Sequence, residues 1–363
     1  MFEKIVFLVN SLSQPRCIRR IESIAALGYN VVVYGYDRGQ YNCNTLSNDI
    51  ECYVLGKMAK GEGYFSKIQT TRKDIKKVIK KHSHEKCLYY SFGYFESLFL
   101  RLNNVPYAYE ISDIAYGFPK FDKIRFLLKA IDQNLVKNAK FTLLTSEGFK
   151  GFLDQNKGNY IIQPNKVNRK LYNVERKPLN LQYNHIVFSF VGSIRYESMM
   201  RFAEVIGKYF PQHEFHFHGV ANVEATKLKL DNMIAKYPNI KIFGEFKNPD
   251  DFEKIYNTVD VVVTTYGTES LNETILDPNK LYEGILFCKP LIATKGTFLG
   301  SQVEKYDCGF VIDSSSEDTI KKAIENITLE SLNKYSLNEF KINRDFVFDN
   351  MDALKLMLKS LNI

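Results

Sequence analysis

The stretch Asp277–Gly296, DPNKLYEGILFCKPLIATKG, reads as a loop, a short helix and a buried strand. Pro278 suits the first turn of a helix, where its missing N–H costs nothing. The helix runs through Lys280, Leu281, Glu283, Ile285 and Leu286; Pro290 ends it, and Leu291–Thr294 follows as a short apolar strand. A helix N-terminus presents unpaired N–H groups and the positive end of a dipole, which favour an anion such as phosphate. Lys280 and Glu283 lie three apart and share a face. The pair has two readings: a salt bridge on the surface of an amphipathic helix, or a clamp in which Lys280 meets a phosphate and Glu283 accepts the two hydroxyls of a ribose.

Working outward, the same strand–helix alternation fills the chain. Lys4–Asn10 is an apolar run bounded by SLSQP, the mark of a buried parallel strand. Pro15 opens a helix whose Ile18, Ile21, Ile24, Ala25 and Leu27 fall at helical spacing, with Gly28 as its C-cap. VVVYGY (31–36) is the second strand, and a βαβ unit of this kind implies a parallel sheet with right-handed crossovers. No G-x-G-x-x-G follows the first strand, which argues against a dehydrogenase. ECYVL and CLYYSF are strands around a basic helix at 66–81, helix 94–102 leads into PYAYEI, and helix 121–138 sets Ile124, Leu127, Leu128, Ile131 and Leu135 on one side. KFTLLTS, the helix SEGFKGFLDQ and NYIIQPN complete a first domain, 1–170. Residues 171–184 lack periodicity and read as a linker. A second series occupies 185–339: strands HIVFSFVGS, HEFHFHGV, NIKIFGEF, DVVVTTYG, LIAT and GFVIDSS, with helices ESMMRFAEVIGKYF, EATKLKLDNMIAKY, PDDFEKIYNTV and the one opened by Pro278 between the first five and SEDTIKKAIENI after the last. The tail, 340–363, reads as a C-terminal helix, expected to cross back to the first domain. The predicted fold class is α/β, two tandem doubly wound Rossmann-like domains. Ligands in such sheets bind outside the carboxyl ends of the strands, and two such domains facing each other would hold them in a cleft.

Length and composition agree. The 363 residues are too many for one ordinary core, and 45% hydrophobic content is globular. No apolar run approaches the roughly 20 residues that span a bilayer. MFEKIVFLVN turns polar too soon for a signal peptide. Cysteines 17, 43, 52, 87, 288 and 308 show no CxxC and read as reduced thiols, which points to a cytoplasmic protein. The net charge of +8 is uneven: residues 1–178 carry 29 Lys+Arg against 16 Asp+Glu, and residues 179–363 carry 20 against 25. Ten cations fall within Lys57–Lys86, opposed only by Glu62, Asp74 and Glu85. That cluster is either a solvated helix face or a surface for anionic lipid or a lipid-phosphate substrate, the anionic lipid implying peripheral attachment to the inner face of the membrane. Among the histidines, 216 and 218 share one face of a strand and 213 the other, with no Cys or carboxylate completing a metal site; no metal is expected. His82 and His84 read as a solvated helix end. Tyrosines of SFGYFES (91–97) and EISDIAYGF (110–118) are candidates for stacking on sugar rings.

Taken in order, these pieces resemble the GT-B glycosyltransferases, specifically family 4, the retaining enzymes that use nucleotide sugars. NSLSQPRCIRRIESIAALGYNVVVYGY is similar to the family's opening strand, loop and Pro-Arg helix. VPYAYEISDI, KFTLLTSEGFKGFL and IIQPNKVN match its later first-domain motifs. In the second domain FSFVGSIR, IKIFGEFKNPDDFEKIYNTVDVVV and PNKLYEGILFCKPLIATKG do the same. The resemblance implies that Glu283 holds the ribose, that Arg195, just past Gly192, bridges the diphosphate with its planar fork, and that Lys280 is a second cation there. Phe246 and Lys247 fall where the family packs the base. Ser11 and Arg16 lie in the loop after the first strand, and Asn279 and Glu273 near the donor sugar. The donor is a UDP- or GDP-sugar and the acceptor a glycan, expected to be lipid-linked; no cofactor is implied. Fixed cations take the place of a metal ion in stabilising the leaving diphosphate.

Departures from the family pattern are specific. The family's Glu-x7-Glu has Ile275 at its first position, with Glu273 and Asp277 as nearby substitutes. Its common His falls on Ser112, which leaves Asp113, with Glu110, as the catalytic candidates. Met199 and Met200 stand where a second phosphate-binding Lys is common, with Arg201 after them. The first hypothesis is thus a glycosyltransferase of surface polysaccharide assembly. A nucleotide-sugar epimerase on the same fold is the alternative, and a basic nucleic-acid binder a third, which lacks any nucleic-acid motif.

Overall fold

The computed structural model describes residues 2–39, 45–58, 64–153 and 158–361. Cys43, Lys60 and Glu62 lie outside the described residues. The chain forms two compact units, Met1–Asn165 with Asn350–Ile363, and Lys166–Asp349.

Unit 1 is built on β1 (Lys4–Val9), β2 (Val31–Asp37), β3 (Glu51–Lys57), β4 (Cys87–Ser91), β5 (Tyr107–Ile111), β6 (Phe141–Leu144) and β7 (Tyr160–Ile162). They form one sheet in the order β3-β2-β1-β4-β5-β6-β7, and every pairing is parallel. Most strands are apolar on both faces; β1, β4, β5 and β6 are buried almost throughout, as parallel strands between helical layers must be. The crossovers carry α1 (Pro15–Ala25), α2 (Tyr64–Lys81), α3 (Tyr94–Leu102) and α4 (Arg125–Asn138). Ile21 and Ile24 of α1 pack with Ile5, Phe7, Val33, Leu88 and Tyr90.

Unit 2 repeats the plan with β8 (Val187–Val191), β9 (Glu214–His218), β10 (Ile240–Gly244), β11 (Val261–Thr264), β12 (Leu291–Thr294) and β13 (Gly309–Ile312), ordered β10-β9-β8-β11-β12-β13. Its helices are α5 (Glu197–Tyr209), α6 (Glu224–Lys236), α7 (Phe252–Tyr256), α8 (Leu271–Ile275), α9 (Asn279–Phe287), α10 (Phe298–Lys305), α11 (Glu317–Glu325) and α12 (Leu329–Lys341). Phe188, Phe202, Phe215 and Phe217 pack as tilted ring pairs in its core.

The structure departs from the sequence reading in identifiable places. The tail is not one helix: α12 ends at Lys341, a 3-10 turn spans Arg344–Val347, and α13 (Asp352–Ser360) follows. Leu354 and Leu358 of α13 join the unit 1 core, so the chain returns to its first unit after Asp349. Residues 171–184 belong to unit 2, where the backbone N–H groups of Leu179 and Leu181 bond to Ser336 and Asn333 of α12. Segment 147–151 is a 3-10 turn rather than an α-helix. Helix α10 has no counterpart in the sequence reading; Thr297 caps it by accepting from the N–H of Gly300. His82 is buried, bonded to the Tyr34 hydroxyl at 3.0 Å and to Glu85 at 3.2 Å, not solvated. Tyr94 and Tyr116, candidates for sugar stacking, are core residues. No helix among the described residues is long and apolar enough to cross a membrane.

Candidate functional site

In unit 2 the strand order reverses between β8 and β11, which opens a crevice at their carboxyl ends. The chain beyond β8 is Gly192-Ser193-Ile194-Arg195-Tyr196, and beyond β11 it is Thr265-Tyr266-Gly267. The floor is backbone: Gly192 N–H donates to the His218 carbonyl and Gly219 N–H to the Gly244 carbonyl, each at 2.8 Å. All three glycines have positive φ, and a Cβ on Gly219 would stand 1.8 Å from the Gly192 carbonyl oxygen. Only glycine allows this close approach at the strand ends.

The β11–β12 crossover delivers α9 to the same region. Pro278 is its N-cap rather than its first helical residue, and no side chain caps the helix. Residues 280–287 are all buried, so α9 is a core helix, not an amphipathic surface helix. That settles the first reading of Lys280 and Glu283: they are an ion pair, but an internal one, 8% and 1% exposed. The Lys280 ammonium donates to Glu283 Oε2 at 2.5 Å, and the Tyr256 hydroxyl donates to the same oxygen at 2.5 Å. The ammonium also sits 5.6 Å over the ring of Phe252, and the Lys280 stem runs past Gly192. Burial, then the adjacent Glu283 carboxylate, holds the Tyr256 hydroxyl far above its ordinary pKa, so it remains a donor.

Arg195 is tied to a pair of tyrosines at the ends of β8 and β11. Its Nη2 donates to the Tyr196 hydroxyl at 2.7 Å and its guanidinium lies 4.9 Å over that ring. Tyr196 meets Tyr266 edge-on at 4.5 Å. Burial raises the Tyr266 hydroxyl, and Tyr196 and Glu283 raise it further while Arg195 opposes them. Phe246 is half-buried and packs on Phe252 at 5.8 Å; Lys247 is exposed, its N–H held by Asp251. Gly192, Lys280, Glu283 and Phe246 are therefore linked through Phe252 and Tyr256, and Arg195 is joined to Tyr266 through Tyr196. Asn279 is the first residue of α9. Glu273 is occupied otherwise: it forms a capping box with Ser270 and accepts from the N–H groups of Glu269 and Ser270. Asp277 accepts from Tyr282 at 2.7 Å, and Ile275 is buried. Met199 and Met200 are core, and Arg201 donates to the Ser314 carbonyl.

On unit 1 the candidates separate. Glu110 lies inside β5, 1% exposed, accepting from Arg20 Nε at 3.1 Å and from the Tyr90 hydroxyl at 2.6 Å. Asp113 is exposed two residues past the end of β5. Ser11 is buried beyond β1, 3.2 Å from the Ser13 hydroxyl, and Arg16 is half-buried at the start of α1. Arg20, Tyr196, Tyr256 and Tyr266 are absent from the sequence reading. Tyr256 stands 27 residues from Glu283 and Arg20 stands 90 from Glu110, so no local pattern announces either contact. His213, just before β9, and His216 and His218 within it are buried, with His216 tied to Glu214 at 2.5 Å. Metal-type donors do converge at His82, Glu85 and Cys87, within 4.8 Å of one another, where the Lys4 ammonium already sits 2.6 Å from Glu85.

No protein-family model matches the chain. It is similar to the succinoglycan biosynthesis protein ExoL of Rhizobium meliloti (strain 1021), 23% identical over 380 residues, which cover 98% of this chain and 92% of that protein. Among solved structures, sucrose-phosphate synthase from Thermosynechococcus elongatus superposes with a TM-score of 0.76 at 14% identity, covering 99% of this chain and 98% of that one. Anabaena HepE, in complex with UDP and glucose, superposes with a TM-score of 0.69 at 15% identity over 100% of both chains. The fold is that of the GT-B glycosyltransferases, with the two doubly wound sheets expected from the sequence.

Proposed function

We propose that the protein transfers a sugar from a UDP- or GDP-sugar to a glycan acceptor, lipid-linked, in surface polysaccharide assembly. The observation that carries the reading is the buried Lys280–Glu283 pair at the uncapped N-terminus of α9, beside the Gly192 strand end. Burying an ion pair is unfavourable against a well-packed apolar pair, so its presence in a core helix calls for a use. Both protein donors sit on Oε2 of Glu283. A carboxylate has about four acceptor sites, enough for ribose hydroxyls as well. Arg195 and the α9 N-terminus then meet the diphosphate, and Phe246 the base. HepE was solved with UDP and glucose, and ExoL is named for succinoglycan biosynthesis; both are consistent with this donor and this kind of product.

In the proposed reaction the bond from the anomeric carbon to the diphosphate breaks and a bond to an acceptor hydroxyl oxygen forms. The hydroxyl proton leaves to a base, and the diphosphate departs with its charge met by Arg195 and Lys280 in place of a metal. Retention at the anomeric carbon follows the family resemblance. Asp113 is the proposed group at the reaction centre, because its carboxylate is exposed at a strand end. Glu110, held by Arg20 and Tyr90, positions β5 beneath it. Incubation with a panel of UDP- and GDP-sugars and a lipid extract tests the reading. It predicts nucleoside diphosphate release coupled to a glycosylated lipid product; epimerised donor without acceptor, or no release with any donor, contradicts it.

A further inference from the structure

Helical spacing assigns Ile124, Leu127, Leu128, Ile131 and Leu135 to one buried face. The structure buries Leu135 and Val136 but turns the front of this segment outward. Asp122–Leu127 is exposed at all six positions. Phe126 is 88% exposed, Leu127 58%, Ile124 47% and Phe118 39%. Single exposed apolar residues need no explanation, but four large ones within ten residues form a patch that does. Cations are interleaved with them: Lys123 and Arg125 are exposed and Lys129 is partly so. Asp122 is the one acidic residue between Phe118 and Lys129, and Arg125 pairs with it.

We infer that Phe118 with the segment Asp122–Lys129 is the surface by which unit 1 docks on an anionic lipid bilayer, with Phe118, Ile124, Phe126 and Leu127 entering the acyl boundary and Lys123 and Lys129 meeting lipid phosphates. Apolar residues flanked by Lys and Arg are the pattern of segments that lie in a membrane interface. The segment is fixed for this task. Arg125 Nε donates to the Tyr116 carbonyl at 3.1 Å, and the Tyr94 hydroxyl donates to the Leu128 carbonyl at 3.2 Å. The basic helix α2 differs: Arg72, Lys73, Lys76, Lys77, Lys80 and Lys81 are exposed, while its Ile75 and Val78 are buried. It carries charge without an apolar edge, which suits attraction to a surface rather than insertion. The patch begins five residues past Asp113 on the same strand-end loop, so docking would bring a membrane-borne acceptor to the end of unit 1 where Asp113 stands. This inference deepens the acceptor side of the proposed transfer, and its test needs no turnover.

The chain has no tryptophan, so Phe126→Trp places a single fluorophore in the patch. With vesicles of phosphatidylcholine containing phosphatidylglycerol, its emission should shift to the blue and be quenched by brominated acyl chains. In co-sedimentation, Phe126→Asp with Leu127→Asp should lower partition at least about tenfold, and Lys123→Glu with Lys129→Glu by roughly fivefold or more per charge. Lys73→Ser with Lys76→Ser on α2 should matter less than the apolar pair. Circular dichroism and a nucleotide-induced thermal shift report that the variants are folded. Three results would overturn the inference: wild-type protein that stays in the supernatant at low salt, an unshifted Phe126→Trp spectrum on bound vesicles, or a self-associated protein in solution that Phe126→Asp makes monomeric.

Discussion

Glu283 and Lys280 cannot be removed one at a time without consequence. Each is nearly fully buried and faces the other. Glu283→Ala strands a buried ammonium, and breaking such a pair costs about 3–5 kcal/mol. Glu283→Ala should lower the denaturant midpoint clearly, and Lys280→Met with Glu283→Leu should recover most of that loss. Equal destabilisation by the single and double variants would show that the pair is not coupled. Arg195 is the converse case. It is exposed, so Arg195→Ala should leave the melting temperature nearly unchanged. Loss of one donor to developing charge lowers turnover by about 100-fold or more, and the release assay reads that directly. The spacing of Lys280 and Glu283 was legible in the sequence because three residues on a helix share a face. Tyr256, Tyr196, Tyr266 and Arg20 were not, because their contacts are made by the fold and no local pattern announces them.

At the scale of elements, strand ends do the positioning. Gly219→Ala would drive a methyl group into the Gly192 carbonyl, and strain of this kind in a core should cost at least about 3 kcal/mol. Gly28→Ala is the control: it also has positive φ but nothing within 4 Å, so conformational strain alone, about 1–2 kcal/mol, applies. Urea unfolding of the two variants should rank them in that order; similar midpoints would mean the β8–β9 end relaxes without difficulty. Parallel strands are continuous apolar runs, and α3 begins and ends at the expected residues, which is why the alternation could be read from the chain. Helix α10 escaped because it is short and its buried residues are only Leu299, Gly300 and Val303. The outward turn of Ile124 and Leu127 escaped because periodicity shows which residues share a face, not what the face meets.

The whole molecule should respond to pH through its two units with opposite sign. In unit 2, burial pushes His218 down to about 4, and lowers His213 and His216 as well. A lowered folded-state pKa gives stability that is present above the unfolded value near 6.5 and is lost as pH falls toward 4. In unit 1, burial pushes Asp132 up to about 7, although the Tyr109 hydroxyl donates to it at 2.9 Å. A raised folded-state pKa gives stability that is full below the unfolded value near 4 and is lost as pH rises through about 7. Asp132→Asn should therefore melt progressively higher than wild type as pH rises from 5 to 8, whereas His218→Gln should flatten the loss on the acid side. Scanning calorimetry across that range measures both, and parallel curves for wild type and variants would contradict the assignment.

The central claim is that α9 of unit 2 holds a nucleotide through Lys280 and Glu283. Calorimetric titration of UDP and GDP into the full chain, and into Lys280→Met with Glu283→Leu, tests it most directly. The account predicts that one of the two nucleotides binds the wild-type protein with a stoichiometry of one, and that affinity falls at least about 30-fold in the double variant, the loss of roughly 2 kcal/mol expected when charged hydrogen-bond partners are removed. Unchanged affinity in a double variant that melts near the wild-type temperature would contradict it.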